Sequence, residues 1–125
     1  MITFNNMGHY GRMGNQMFQY ATLYSIAKTR GYEFGVPYKR KSANSYQNFC
    51  LDESFSNLSA KDSSNAMPRA YAQEREFTYN PGIFGIKDGT DVVGYFQSEK
   101  YFKDYRNQLL KEFDFKPEIK EKALD

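Results

Sequence analysis

Three glycines within seven residues, Gly8, Gly11 and Gly14, separate a short apolar run from a helical pattern. This density of glycine predicts a loop, because glycine weakens both helices and strands. Before the loop, residues 2–5 form an apolar run with β-branched residues, which is typical of a buried strand. After the loop, Asn15 is a suitable N-cap for a helix. The chain is therefore expected to open as strand, glycine loop and helix.

The helix, predicted over residues 15–29, has one apolar face. Its members recur three and four residues apart, as on one side of an α-helix, and they are Met17, Tyr20, Tyr24 and Ala27. Gly31 stands where a C-terminal cap glycine belongs, and residues 32–36 supply a second strand. Two strands joined by a helix through short connections form the βαβ unit of a parallel sheet.

The remainder of the chain is less regular. Residues 38–76 are polar with little periodicity, which indicates a long irregular segment with at most a short helical turn near Asp52. Residues 91–96 have the pattern of a buried strand, and Ser98 and Glu99 are suited to cap the helix that follows. The apolar face of that helix is Phe102, Tyr105, Leu109 and Phe113. A last helical stretch is predicted at residues 118–124.

Three or four predicted strands are fewer than the five or six of a doubly wound domain. We therefore expect an α/β fold with a Rossmann-like parallel sheet, present as one incomplete domain over residues 1–125. The sequence contains no internal repeat and no Gly/Ser-rich or Pro-rich linker that would mark a second domain.

Charge is uneven along the chain, whose net charge is +2. Up to Leu51 there are six basic residues and one acidic residue, a balance that favours an anionic ligand such as a nucleotide diphosphate. The basic residues form no long run, which disfavours nucleic acid as a partner. Cys50 is the only cysteine, so neither a disulfide within the chain nor a cysteine-based metal site is available.

The sequence also constrains the compartment. No apolar stretch approaches the roughly 20 residues that span a bilayer, so no transmembrane segment is expected. The first residues lack the basic and apolar regions of a signal peptide. We expect a cytoplasmic protein, with peripheral attachment to a membrane left open.

The glycine loop is the segment best suited to chemistry. Backbone N–H groups at a helix start lack partners and lie at the positive end of the helix dipole, so they attract phosphate. Gly11 and Gly14 would let a ligand approach the backbone, and Arg12 adds a guanidinium suited to phosphate oxygens. Asn15 and Gln16 carry amides that can donate to a leaving group or a sugar hydroxyl. A purely structural turn is the alternative, and the lysine of a P-loop is missing.

Further candidate residues lie around this loop and after the strand at residues 91–96. His9, the only histidine, is a candidate base for an acceptor hydroxyl, although lone loop histidines are more often structural. Glu99 is a second candidate base, but glutamate is common in the first turn of a helix in any case. Gln97 and Ser98 follow the carboxyl end of a strand, the usual cleft position, so we expect them to contact the acceptor.

Two blocks of the sequence resemble a known enzyme family. The first, at residues 9–23, reads HYGRMGNQMFQYATL, and the second, at residues 94–102, reads GYFQSEKYF. In this order and at this separation they resemble the N-terminal signature and the Gly-Tyr-Phe-Gln-Ser block of the α-1,2-fucosyltransferases, glycosyltransferase family 11.

The resemblance implies a galactoside 2-alpha-L-fucosyltransferase, which transfers L-fucose from GDP-fucose to a galactoside hydroxyl of a glycan acceptor with inversion. It implies a GT-B architecture of two Rossmann-like domains and a reaction that uses no metal and no cofactor. Asn15 and His9 are the residues we expect to be catalytic. The expected substrate-binding residues are Gly11, Arg12, Gly14, Asn15, Gln16, Gln97 and Ser98.

The family's donor-binding motif, His-x-Arg-Arg-x-Asp-Tyr, does not occur in the chain, which has no Arg-Arg pair. The resemblance therefore covers only an N-terminal part of the family. We expect the C-terminal donor-binding domain to be absent and the chain alone to be inactive. The alternative interpretation is a non-catalytic module that binds a nucleotide sugar or a carbohydrate.

Overall fold

The computed structural model of the chain describes residues 1–9, 13–40, 48–74 and 78–117. Its centre is a five-stranded sheet in which neighbouring strands are parallel. The strands are β1 (Ile2–Thr3), β2 (Phe34–Val36), β3 (Lys61–Asp62), β4 (Ala70–Gln73) and β5 (Thr90–Val93), and they lie in the order β3-β2-β1-β5-β4. The expected Rossmann-like parallel sheet is confirmed, with five strands where three or four were predicted.

Helix α1 (Met13–Arg30) connects β1 to β2 and completes the predicted βαβ unit. Gly31 ends the helix at a φ of +72°. The N–H of Tyr32 then donates to the Ala27 carbonyl at 2.9 Å. This bond and the positive φ form a glycine C-cap, so the predicted role of Gly31 is confirmed.

The start of α1 differs from the prediction. Met13 is its first residue, so Asn15 lies within the first turn and is not the N-cap. Gly14 is also helical. Glycine costs only about 1 kcal/mol relative to alanine in a helix, and burial of α1 against the sheet outweighs that cost.

The core lies between α1 and one face of the sheet. Of the predicted apolar face, Tyr20, Tyr24 and Ala27 are buried and Met17 is partly buried. The core residues of the strands β1, β2 and β5 and of the loop after β1 are Ile2, Phe4, Met7, Phe34, Val36 and Val92. Burying one side chain of this size contributes about 1.5–3 kcal/mol, so packing is the main force that holds the helix on the sheet.

The polar middle of the chain is more regular than predicted. It contains a one-turn helix, α2 (Leu51–Ser54), and the strands β3 and β4. β4 lies at an edge of the sheet and pairs with β5 from Ala70 opposite Thr90 to Gln73 opposite Val93. Because β3 and β4 lie at opposite edges, residues 63–69 carry the chain across the sheet. The prediction of an irregular segment was wrong here, since pairing with neighbours sets these strands.

β5 ends at Val93, three residues before the predicted end. The backbone leaves the extended conformation there, with φ of +146° at Gly94 and +52° at Phe96. A side chain at positive φ is uncommon outside glycine, asparagine and aspartate. Residues 94–96 therefore form a turn after β5 and do not continue the strand.

The C-terminal part begins with 3₁₀ turns at Glu99–Tyr101 and Lys103–Tyr105 and continues as α3 (Arg106–Glu112). Ser98 caps the first turn, its Oγ accepting from the Lys100 N–H at 3.3 Å, as predicted. Of the predicted apolar face, Leu109 is buried, and Phe102, Tyr105 and Phe113 are partly buried. The helical stretch predicted at 118–124 lies outside the described residues.

Candidate functional site

The carboxyl ends of β1, β4 and β5 border a cavity of about 270 Å³, here called the switch-point cavity. Its lining residues come from the loops after these strands and from α1, and they are Phe4, Asn6, His9, Gln19, Gln73, Glu74, Val93, Gly94 and Tyr95. β1 has β2 on one side and β5 on the other, so the strand order reverses at this point. Ligands of open parallel sheets bind at such a reversal, which makes this cavity the candidate functional site.

His9 lines the switch-point cavity and is partly buried. Its backbone N–H donates to the Asn6 carbonyl at 2.8 Å, which holds the loop after β1 in place. The structure thus brings the only histidine of the chain to the same cavity as Glu74. Its role as a proton acceptor stays a prediction.

Asn15 and Gln97, two of the residues predicted for the site, lie side by side. Gln97 Nε2 donates to Asn15 Oδ1 at 2.6 Å, although the two residues are 82 positions apart. The bond connects the first turn of α1 to the loop after β5. Such an exposed hydrogen bond contributes only about 1 kcal/mol, so an incoming ligand could replace it at little cost.

A second connection joins the same two segments closer to the core. Gln19 Nε2 donates to the Gly94 carbonyl at 2.8 Å, and the rings of Phe18 and Phe102 meet edge to face at 5.8 Å. Gln19 is buried, and its Oε1 has no hydrogen-bond partner in the described part of the chain. A buried acceptor without a partner is costly, so the contact of Gln19 with Gly94 is held at some expense to stability.

Gln16 has a different position from the one predicted. It is 1% exposed, and its amide is used within the protein. Nε2 donates to the Asn48 carbonyl at 3.0 Å, and Oε1 accepts from the Cys50 N–H at 2.9 Å. Because both ends of the amide bind the backbone that leads into α2, this side chain serves the fold here rather than contacting a substrate.

Among the described residues, none of those predicted to bind the substrate is part of the cavity lining, Asn15 and Gln97 included. Gly14 lies in an apolar groove of about 600 Å³ between α1 and α3. The Oγ of Ser98 is used as a helix cap, as described above. Gly11 and Arg12 lie outside the described residues, so their contact with a diphosphate stays a prediction.

Glu74, which was not singled out in the sequence, follows the edge strand β4 and is partly buried in the cavity wall. Its Oε1 accepts from the N–H groups of Tyr95 and Phe96, at 3.1 and 3.2 Å. One carboxylate oxygen therefore holds the turn after β5 in its uncommon conformation. The sequence offered little sign of this role, because β4 itself was not predicted and a carboxylate in a polar segment is common.

Gly94 is required by the same arrangement. A Cβ at this position would lie 2.5 Å from the Glu74 Cβ and 2.9 Å from the ring of Phe96. Both contacts are shorter than real side chains allow, and φ is +146°. The glycine of the second sequence block is thus explained by the close approach of Glu74.

A buried polar cluster lies beside the site on the sheet. Asp91 Oδ1 accepts from the Thr3 hydroxyl at 2.6 Å and from the Asn5 N–H at 2.8 Å, and Asp91 is 2% exposed. Burial raises the pKa of the Asp91 carboxyl, against the lowering effect of these hydrogen bonds and of Arg40. The cluster fixes the loop after β1 relative to β5.

In the described part of the chain, no three side chains of His, Cys, Asp or Glu lie close enough together to hold a metal ion. Among the same residues, no helix combines the length and the hydropathy needed to span a bilayer.

Comparison of the chain with known protein families, with curated proteins and with solved structures finds no significant match in any of the three.

Proposed function

We propose that the chain is the N-terminal, Rossmann-like part of a GT-B-type α-1,2-fucosyltransferase, which transfers L-fucose from GDP-fucose to a galactoside hydroxyl. One observation carries the proposal. The two sequence blocks that resemble this family, at residues 9–23 and 94–102, contact each other at the carboxyl end of a parallel sheet. Ligands of open parallel sheets bind outside the carboxyl ends of the strands at a strand-order reversal, and this is where we propose that the nucleotide sugar binds.

The proposed reaction is an inverting displacement. The acceptor hydroxyl forms a bond to the anomeric carbon of fucose, the bond from that carbon to the β-phosphate oxygen breaks, and GDP leaves with the electron pair. Charge on the leaving phosphate is stabilised by fixed donors at the start of α1 and by Arg12. The hydroxyl proton passes to a base at the switch-point cavity, for which His9 is the predicted candidate.

Asn15 is the residue that best tests this proposal. Its side chain is at the start of α1, partly buried and bonded only to Gln97 among the described residues. We expect Asn15 to donate its amide to the donor phosphate or to the sugar as the bond to GDP breaks. The removal of such a donor costs about 3–4 kcal/mol of barrier in well-studied enzymes, or roughly a hundredfold or more in turnover.

The experiment is a titration of the chain with GDP-fucose, with and without a galactoside, that follows both binding and the release of GDP. Transfer or hydrolysis supports the enzyme, and Asn15→Ala should then reduce turnover while Asn107→Ala, an exposed asparagine in α3, should not. Saturable binding without turnover supports a nucleotide-sugar-binding module. If GDP-fucose neither binds nor reacts, the result supports an N-terminal fragment that is inactive alone, as the missing His-x-Arg-Arg-x-Asp-Tyr motif leads us to expect.

A further inference from the structure

Glu74 and Asn15 are connected through the turn after β5. Glu74 Oε1 accepts from the N–H groups of Tyr95 and Phe96, at 3.1 and 3.2 Å. Gln97 is the next residue along the chain, and its Nε2 donates to Asn15 Oδ1 at 2.6 Å. A carboxylate that follows the edge strand β4 is therefore linked to the first turn of α1 by the backbone of one turn and three hydrogen bonds.

The backbone at Gln97 is held by the residue on each side of it. Phe96 is 1% exposed, and its ring packs edge to face on Phe4 at 6.0 Å and on Tyr101 at 5.3 Å. The Ser98 N–H donates to the Phe96 carbonyl at 2.9 Å. Because Phe96 is anchored in the core and Ser98 is bonded back to it, the conformation of Phe96 decides where the Gln97 side chain leaves the backbone.

Glu74 stabilises that conformation. Phe96 has a φ of +52°, which is unfavourable for a residue other than glycine unless contacts hold it. Two adjacent N–H groups that donate to one carboxylate oxygen are such a contact, and hydrogen bonds to a charged acceptor are the stronger class. Within the described residues, no basic side chain forms an ion pair with Glu74. The hydrogen bonds of its carboxylate are thus made to this turn.

The Gln97 bond in turn selects one orientation of the Asn15 amide. Because Oδ1 accepts from Gln97, Nδ2 directs its two N–H donors elsewhere, and it makes no hydrogen bond within the described residues. A phosphate oxygen needs a donor, whereas a reversed amide would present a carbonyl oxygen that repels it. An exposed bond between two amide side chains does not order both of them unaided. The fixed backbone at Gln97 leaves only side-chain rotation to be ordered.

We propose that Glu74 is a positioning residue: through the turn after β5 and Gln97, it holds the Asn15 amide with its N–H groups available to an anionic ligand. The inference rests on the proposed function in that this ligand is the diphosphate of the nucleotide sugar. It adds to the site a residue that lies outside both of the sequence blocks and makes no contact with the ligand itself.

The test is heteronuclear NMR of the Gln97 side-chain amide in the full chain, with the resonance identified by its loss in Gln97→Ala. In Glu74→Ala this resonance should move to the position that it takes in Asn15→Ala, because both variants lose the same hydrogen bond. Glu74→Gln retains an Oε1 that can accept from both N–H groups, so it should keep the wild-type position. Glu33→Ala, which removes an exposed carboxylate just before β2, is the matched control and should keep it too.

A purely structural role of Glu74 would lower the midpoint of urea unfolding without moving the Gln97 resonance. The inference is therefore overturned if this resonance stays at the wild-type position in Glu74→Ala, or if Glu74→Gln moves it as far as Glu74→Ala does. Should Glu74→Ala fail to fold by circular dichroism, Glu74→Asp replaces it, since its carboxylate is one methylene shorter and falls short of the turn.

GDP-fucose is titrated into the same samples. If the wild type binds it, Glu74→Ala and Asn15→Ala should each weaken binding about fivefold or more. The double variant should bind no more weakly than Asn15→Ala, because both changes remove one contact, and additive losses would overturn the inference. If the wild type does not bind GDP-fucose, the chain is inactive alone, and the NMR comparison decides the role of Glu74 by itself.

Discussion

Replacement of Gly94 by alanine should lower the free energy of unfolding by about 2–6 kcal/mol, the sum of two separate costs. The first is conformational. φ at this residue is +146°, and a residue other than glycine in such a region costs about 1–3 kcal/mol. The second is steric, because the new Cβ would lie 2.5 Å from the Glu74 Cβ and 2.9 Å from the Phe96 ring. Overpacking of this kind typically costs about 1–3 kcal/mol.

The matched control is Gly14→Ala, a glycine of the first sequence block. Within the described residues, a Cβ at Gly14 would have no heavy atom within 4 Å, and the residue is helical. Alanine is favoured over glycine in a helix by about 1 kcal/mol. Gly14→Ala should therefore leave stability unchanged or raise it slightly, so the two glycines of the resembling blocks should respond in opposite directions.

Urea-induced unfolding followed by far-UV circular dichroism measures both variants against the wild type under one set of conditions. A change in the midpoint at constant slope reports the difference in stability. A loss of less than about 1 kcal/mol for Gly94→Ala would refute the reasoning. It would mean that the turn after β5 relaxes freely and that Glu74 does not fix it.

Three further changes test other parts of the structure. Tyr20→Phe should lower the free energy of unfolding by about 2 kcal/mol in urea, because the Tyr20 hydroxyl donates to the buried Glu112 carboxylate at 2.7 Å; an unchanged midpoint would contradict this. Asp91→Asn should gain stability relative to the wild type as the pH rises above 3.8, the ordinary pKa of Asp91. Because burial raises the pKa of Asp91, the folded wild type keeps a proton that the unfolded chain has already released. The free energy of unfolding of the wild type therefore falls between pH 3.8 and the raised pKa, and a difference in stability between variant and wild type that does not change with pH would contradict this. Gln97→Ala should leave the thermal midpoint within a few degrees of the wild type, since its bond to Asn15 is exposed, and a larger fall would show a structural role.

The elements that the sequence predicted best are those specified by local pattern. β1, α1 and β2 follow from a β-branched run, a repeat of apolar residues three and four apart, and a glycine at the helix end. Gly31 adopts the positive φ that its position suggested. The ends of the elements were predicted less well. Asn15 was expected to be the N-cap of α1, but the helix begins at Met13, because the cost of a helical glycine at position 14 is small compared with the free energy gained by burying α1.

β4 and its consequences could not be predicted in this way. Its residues, Ala70–Gln73, are mostly exposed and include no β-branched side chain, so pairing with β5 alone makes them a strand. Glu74 depends on that pairing for its position. The positive φ of Phe96 depends in turn on Glu74, so it follows from a contact between two remote segments. Each of these features depends on tertiary contacts, and the neighbouring sequence contains no local pattern that predicts it.

The first sequence block divides, in the structure, into side chains that build the scaffold and side chains that remain at the surface. Gln16 and Gln19 are buried and hold the backbone at Asn48, Cys50 and Gly94. Loss of such a buried amide leaves backbone groups unpaired, at a cost of about 1–3 kcal/mol for each group. A Gln16 or Gln19 variant would therefore lose activity through the fold, whether or not the chain binds GDP-fucose. Asn15 makes only an exposed hydrogen bond within the described residues. A loss of activity on substitution of Asn15 would therefore indicate a lost contact with a ligand rather than a damaged fold.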